Sequence, residues 1–398
     1  MDTLETTSLP KILPTESKTQ LVQTASYYAA FVALGLVIAS LGPTLIDLAE
    51  RTGTSLSQIG ILFTVRSMGS LLGSLFGSRL YDHLPGHRIM VVMFLMLAAT
   101  MSLIPLIPLL WLLCLALFVF GLAEATLAVG GNTLLVWVHE QRLAPYMNGL
   151  HFFFGVGAFL SPIIIAQAVL LSGDIIWAYW ALALLLLPAA GWLLSVPSPG
   201  RRAAATDTPR RRPNYALVGL IALFYFLYVG AEVSFGGWIF SYAIALDLAD
   251  KTMAAYLTSG FFGAFTVGRL LSIPLVARLR PRLVLLSDLA GSLLSLGVIM
   301  LWPTSLTAVW LGTVGCGLSM ATIFPSILTM AGRRMSITGQ ITGTLFTGAS
   351  LGAMSTPWLV GQLFEKMQPP AMIACLFIDL ALATVVIVGI ISAFNRQK

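Results

Sequence analysis

The sequence predicts an all-α membrane protein of twelve transmembrane helices in two pseudo-symmetric six-helix bundles. Three observations lead there. The chain has 398 residues, of which 58% are hydrophobic and 10% charged, and its mean hydropathy is +0.91. An ordinary soluble domain carries roughly 25% charged residues. At roughly 33 residues per span plus turn, the length accommodates about twelve apolar runs of the ~20 residues that a bilayer crossing needs. The first half of the chain also recurs in the second. Gly35 and Gly42 return as Gly230 and Gly237, Gly69 and Arg88 as Gly263 and Arg282, and Gly157-Ala-Phe-Leu-Ser-Pro162 as Gly352-Ala-Met-Ser-Thr-Pro357, at offsets of 194 or 195.

The apolar runs place spans at 21–47, 57–81, 87–105, 109–138, 144–171 and 175–196. Six more follow at 215–245, 253–277, 283–302, 306–331, 338–364 and 371–394. The first twenty residues are polar and hold no short apolar stretch with a cleavage site, so the first span is read as its own targeting element. Residues 197–214 are polar, Pro-rich and basic, the composition of a linker. The expected organisation is an N-terminal bundle over 1–196, a cytoplasmic linker over 197–214 and a C-terminal bundle over 215–398.

Orientation follows from the basic residues. Of 22 Lys and Arg, Arg66 and Arg269 lie inside spans, and Arg51, Lys251 and Lys366 fall in turns on one side. All the others fall on the side of both termini, which is therefore read as cytoplasmic, as expected of an inner (plasma) membrane protein. The net charge of +6 thus reflects topology and does not point to nucleic acid. Cys114, Cys316 and Cys375 sit in apolar runs without disulfide or metal spacing. No phosphate loop, metal constellation or nucleophile–base pair argues for an enzyme, and no cofactor is expected.

Glu124 is the leading functional candidate. Gly121-Leu-Ala-Glu124-Ala-Thr126 recurs as Gly317-Leu-Ser-Met320-Ala-Thr322, with the acid replaced in the second copy. An acid in hydrocarbon costs a few kcal/mol or more and is rarely left without a task. It can carry a proton or Na+; a buried ion pair with Arg66 is the bland alternative. Glu232, in span seven, is the second candidate and comes from the opposite half. Tyr228 and Trp238 share its helix, and aromatic planes stack on the CH faces of sugar rings. Asn132, Asn148 and His151 could line an inner vestibule or make ordinary helix contacts. Arg269 and Asp288 read as a structural pair, and Asp379 has no evident partner. Gly69, Gly73 and Gly77, with Gly348 and Gly352, form small-residue stripes on spans two and eleven that suit either close packing or sliding.

Parallel six-helix repeats resemble the major facilitator superfamily. So does the turn Gly77-Ser-Arg-Leu-Tyr-Asp82-His-Leu-Pro-Gly86-His-Arg88, in which Ser78 replaces the usual Gly and Pro85 reads as an insertion. The resemblance implies a central cavity lined by spans one, four, seven and ten. It implies that Asp82 and Arg88 latch the halves on the cytoplasmic side, with Asp82 facing the start of span eleven. It also implies that the stripes of spans two and eleven meet between the halves.

Further blocks are more specific: Gly131-Asn-Thr-Leu-Leu-Val-Trp-Val138, Pro145-Tyr-Met-Asn-Gly-Leu-His-Phe152, Tyr228-Val-Gly-Ala-Glu-Val-Ser-Phe-Gly-Gly-Trp238, Gly263-Ala-Phe-Thr-Val-Gly-Arg269 and Phe324-Pro-Ser326. Together they resemble the sodium-dependent glucose transporter branch, related to the fucose–galactose–proton symporters. Those symporters share a span-four acid and also carry one in span one, where this chain is apolar around Val37.

The resemblance implies secondary active uptake of a sugar, coupled to Na+ or H+, by alternating access. The alternatives are a proton-driven exporter of amphipathic compounds or drugs, and a non-transporting membrane sugar sensor. The expected partners are a small-molecule substrate and the bilayer, with a single copy sufficing.

Overall fold

The computed structural model describes residues 17–139, 143–200, 214–332 and 339–396, which form helices joined by short turns, with no strand among them. Most of the expected linker lies outside these residues, as do Lys11, Arg142, Arg333, Arg334 and Lys398. In the first half, span one is two helices, α1 (Lys18–Ile38) and α2 (Leu41–Thr52), and span two comprises α3 (Leu56–Ile59) and α4 (Ile61–His83). Spans three to six are α5 (Gly86–Leu103), α6 (Leu110–Val138), α7 (Leu143–Ser172) and α8 (Ile175–Ser195). In the second half, spans seven to nine are α9 (Tyr215–Ala245), α10 (Lys251–Arg278) and α11 (Pro281–Leu301). Span ten is α12 (Leu306–Met320) and α13 (Ile323–Gly332), and α14 (Gly339–Met367) and α15 (Pro370–Arg396) complete the chain.

Among the described residues ten helices, with α3–α4 and α12–α13 each taken as one, are long and apolar enough to cross a membrane. The remaining two spans, α10 and α14, are equally long but richer in Gly, Ser, Thr and charge. Large apolar side chains such as Leu171, Leu294 and Val385 lie exposed on the outside, which suits lipid and not water.

Two breaks have a sequence cause. Proline lacks the amide that would bond four residues back, and its ring crowds that carbonyl. Pro43 therefore ends α1 at Ile38, and Pro325 ends α12 at Met320. Both breaks leave helix-end carbonyls in need of partners.

The repeat is legible in the packing. Gly35 of α1 sits against Phe154 and Gly157 of α7, and Gly230 of α9 sits against Thr356 and Gly352 of α14. Gly121 of α6 meets the Arg66 carbonyl on α4, while Gly317 of α12 meets the Phe261 carbonyl on α10. Gly42 and Gly237 are repeat mates that face each other: a Cβ on Gly42 would lie 2.9 Å from the Gly237 carbonyl oxygen. That contact marks the pseudo-two-fold axis, where only hydrogen fits.

The glycine stripes, however, do not join the halves. Gly69, Gly73 and Gly77 pack against Phe118, Leu122 and Thr126 of α6, and Gly348 and Gly352 against Ala222 and Phe226 of α9. They allow close approach within each half. Between the halves, α4 meets α14 through Thr64 and Ser67, whose hydroxyls donate to the Met354 and Ala353 carbonyls at 2.6 and 3.2 Å.

Candidate functional site

A cavity of ≈ 290 Å³ lies where the two halves face each other, close to the lower end of the ~300–1,000 Å³ usual for small-molecule sites. Its walls come from both sides of the break in span one and from α4, α6, α7, α9, α10 and α14. Spans one, four and seven line it as expected; span ten does not. The Tyr225 and Tyr228 hydroxyls of α9 are directed at the broken span ten, donating to the Phe324 and Met320 carbonyls at 3.0 and 2.7 Å. Tyr228 thus satisfies a helix-end carbonyl and is absent from the cavity wall.

Four charged side chains reach the cavity: Arg66 and Glu124 from the first half, Glu232 and Arg269 from the second. The surrounding wall is apolar and aromatic, with Phe63, Phe154 and Phe262 among its residues. Arg66 grips Glu124 side-on, with Nη2 2.7 Å and Nε 3.1 Å from Oε2. Arg66 Nη1 also donates to the Ile38 carbonyl freed by the break, at 3.2 Å, and the Ser70 hydroxyl donates to Glu124 Oε1 at 2.9 Å. Both partners are buried, at 8% and 7% exposure, yet both border the cavity. An ion pair with Arg66, the alternative to a functional role for Glu124, therefore forms, and it forms within the candidate site.

Across the cavity Glu232 is half-buried and forms no ion pair among the described residues. Its polar neighbours are Tyr228 and Arg269. The Arg269 guanidinium lies over the Phe265 ring, 4.6 Å from its centre. Arg269 is therefore a cavity residue and does not pair with Asp288, whose carboxylate instead accepts from the Thr322 hydroxyl beside the break in span ten. A mid-span arginine is as costly in hydrocarbon as an acid, so the position of Arg66 and Arg269 inside spans is itself a sign of a functional site.

His151 lines the cavity beside Phe31, its ring edge-on at 6.2 Å. Asn132 and Asn148 do not reach the wall. Asn132 turns back to its own helix, donating to the Ala128 carbonyl at 2.8 Å, and Asn148 is exposed near the start of α7. Asp379 is half-buried on α15, with no hydrogen bond or ion pair among the described residues. The three cysteines are free.

Trp238 is fully buried away from the cavity, at the end that the basic residues assign to the outside. Its ring spans the halves, touching Gly60 at the start of α4, Gly361 of α14, and the Phe63 and Phe364 rings. It is thus placed as a plug and not as a stacking platform. Truncating a buried Trp removes about 3–5 kcal/mol of packing. Trp238→Ala is expected to loosen this end and speed labelling, from outside, of a cysteine placed at Ser67. An unchanged labelling rate would leave Trp238 as ordinary core.

Other bonds close the same end. Lys251 Nζ lies 2.6 Å from Asp47 Oδ1, and Gln362 Nε2 donates to the Ser57 carbonyl at 2.8 Å. The Ser57 backbone N–H donates to Glu365 at 3.0 Å, so an acid ending span eleven faces the start of span two. A latch of this kind was expected on the cytoplasmic side at Asp82 and Arg88. There both side chains are exposed and form no hydrogen bond or ion pair among the described residues. The start of span eleven, expected to face Asp82, lies partly outside those residues.

The side chains of Ser57 and Ser55, and then the Ser57 amide, hold the Glu365 carboxyl below its ordinary value of 4.5. A depressed carboxyl stabilises the closed end fully above its ordinary value and loses that effect as pH falls from there through its lowered one. Labelling at Ser67 should therefore rise on acidification below pH 4.5, and Glu365→Gln should remove that response. A rise that persists in Glu365→Gln would assign it to another group.

Comparisons with known proteins agree with this architecture. The Major Facilitator Superfamily model matches residues 27–357. The sodium-dependent glucose transporter 1A of Mus musculus is 30% identical, covering 84% of this chain and 88% of its own. The sodium-dependent glucose transporter 1 of Xenopus laevis is 33% identical, over 82% of this chain and 73% of its own. Among solved structures, a point mutant of the nucleoside transporter NupG superposes with a TM-score of 0.75 at 12% identity, covering 94% of this chain and all of that one; a likeness at that identity shows the fold alone. The chain belongs to the Major Facilitator Superfamily of membrane transporters.

Proposed function

We propose that the protein takes up a sugar across the inner membrane, driven by a cation that binds at Glu124. The observation that carries this reading is the convergence of Glu124, Arg66, Glu232 and Arg269 on one small cavity between the halves. The relatives named sodium-dependent glucose transporters support a sugar as cargo and sodium as the driving ion.

The chemistry fits a polyhydroxylated ring. Carboxylates accept from hydroxyls, guanidinium forks donate to them, and apolar walls cover CH faces. A cavity of ≈ 290 Å³ suits a monosaccharide better than a large amphipathic drug. The halves are fastened at the end read as outer, the arrangement of a carrier closed to the outside. Cation and sugar then load in the opposite arrangement, after Trp238 and Glu365 release, and the halves rock about the site.

Reconstitution in vesicles provides the test. Labelled hexose should accumulate under an inward sodium gradient and fail to do so under a pH gradient alone. Accumulation driven only by protons would reassign the ion. Expulsion of amphipathic dyes without any hexose response would favour the exporter.

A further inference from the structure

We infer that Arg66 is a resident substitute for the coupling cation, seated in a sodium site and displaced from it when sodium binds. This rests on the cation-coupled reading and assigns the ion's place within it. Two kinds of oxygen hold the Arg66 guanidinium, and a third braces the carboxylate among them. Glu124 supplies a carboxylate at 2.7 Å, Ile38 a backbone carbonyl at 3.2 Å, and the Ser70 hydroxyl lies against Glu124 at 2.9 Å. Carboxylate, unwound-helix carbonyl and hydroxyl are the oxygen donors that suit a hard alkali cation, and broken spans supply such carbonyls in other transporter folds. Here the break at Ala39 and Ser40 aims Ile38 at the same place as Glu124. The seat is a built one: Arg66 and Glu124 are both more than nine-tenths buried.

A buried carboxylate needs one positive partner, and two would repel. Arg66 and sodium therefore exclude each other from Glu124. Arg66 borders the cavity, so leaving the seat carries its guanidinium into the space where sugar binds. Sodium binding thereby delivers a fork of N–H donors to the substrate, which orders loading as ion first and sugar second. After release, Arg66 returns to Glu124. The empty carrier then holds a neutral pair and recloses without an ion.

Arg66→Gln tests the exchange. Competition with a resident group lowers apparent affinity by the fraction of time the seat is free. Removing that group should tighten sodium binding by about tenfold or more. A variant with Glu124 left unpaired should also melt lower than wild type in choline chloride and be raised selectively by sodium chloride. The measurement is the melting temperature of purified protein titrated with sodium at constant ionic strength. The double variant Arg66→Gln with Glu124→Gln keeps the packing and should show no sodium response.

An unchanged or higher midpoint in Arg66→Gln overturns the exchange, as does stabilisation by falling pH with none by sodium. If Arg66→Gln cannot be purified, wild-type protein gives the same decision. Sodium should then raise sugar affinity in equilibrium binding, and sugar binding unaffected by sodium overturns the proposal. Sodium-driven uptake with an unmoved midpoint would sink the exchange alone. Uptake indifferent to a sodium gradient would sink the functional reading beneath it.

Discussion

Glu124→Gln should abolish sodium-driven accumulation while leaving sugar exchange across the membrane. The carboxylate is buried and holds Arg66 through two guanidinium nitrogens. Glutamine preserves its shape and an oxygen for Ser70 but carries no charge to attract a cation. Breaking one side of a buried pair costs about 3–5 kcal/mol, so the variant should also melt well below wild type. In vesicles its internal sugar should rise no further than the external concentration. Counterflow of labelled sugar against unlabelled sugar should persist, because that exchange needs no net ion movement. A Glu124→Gln protein that still concentrates sugar would remove this residue from coupling.

Glu232→Ala should affect binding and not driving force. The side chain borders the cavity from the second half, with Tyr228 and Arg269 as its polar neighbours, and a carboxylate has lone pairs for several hydroxyl donors. A hydrogen bond to a charged group contributes about 1.5–3 kcal/mol. Half-saturation should therefore rise roughly 10- to 100-fold. With saturating sugar, the accumulation ratio under a fixed sodium gradient should match wild type. A collapsed ratio with unchanged half-saturation would instead put Glu232 in the ion path.

The fold was legible because lipid imposes a strong rule on sequence. Every span must be apolar, and the repeat of glycines from Gly35 to Gly352 reports helix contacts that occur in both halves. The site was legible to the extent that charge in hydrocarbon is conspicuous, which singled out Glu124 and Glu232. Direction around a helix axis was not legible. Tyr228 and Trp238 lie close to Glu232 in sequence but are absent from the cavity wall, one capping a broken helix and the other wedged between the halves beside Gly60 and Gly361. Glu365 sits at a span end, where acids are inexpensive, so composition gave no sign of its role. Proximity across a turn suggests an Arg269–Asp288 pair, but the acid is satisfied by the Thr322 hydroxyl, a partner 34 positions away in sequence.

In the mechanism proposed here, one ion pair between α4 and α6 links a cation to sugar movement. Its most direct test uses vesicles with equal sodium on both sides and an inward sugar gradient. Sugar flowing down its gradient should carry labelled sodium inward with no sodium gradient to drive it, and Glu124→Gln should abolish this flux. Sugar entry without any accompanying sodium movement in the wild-type protein would contradict it.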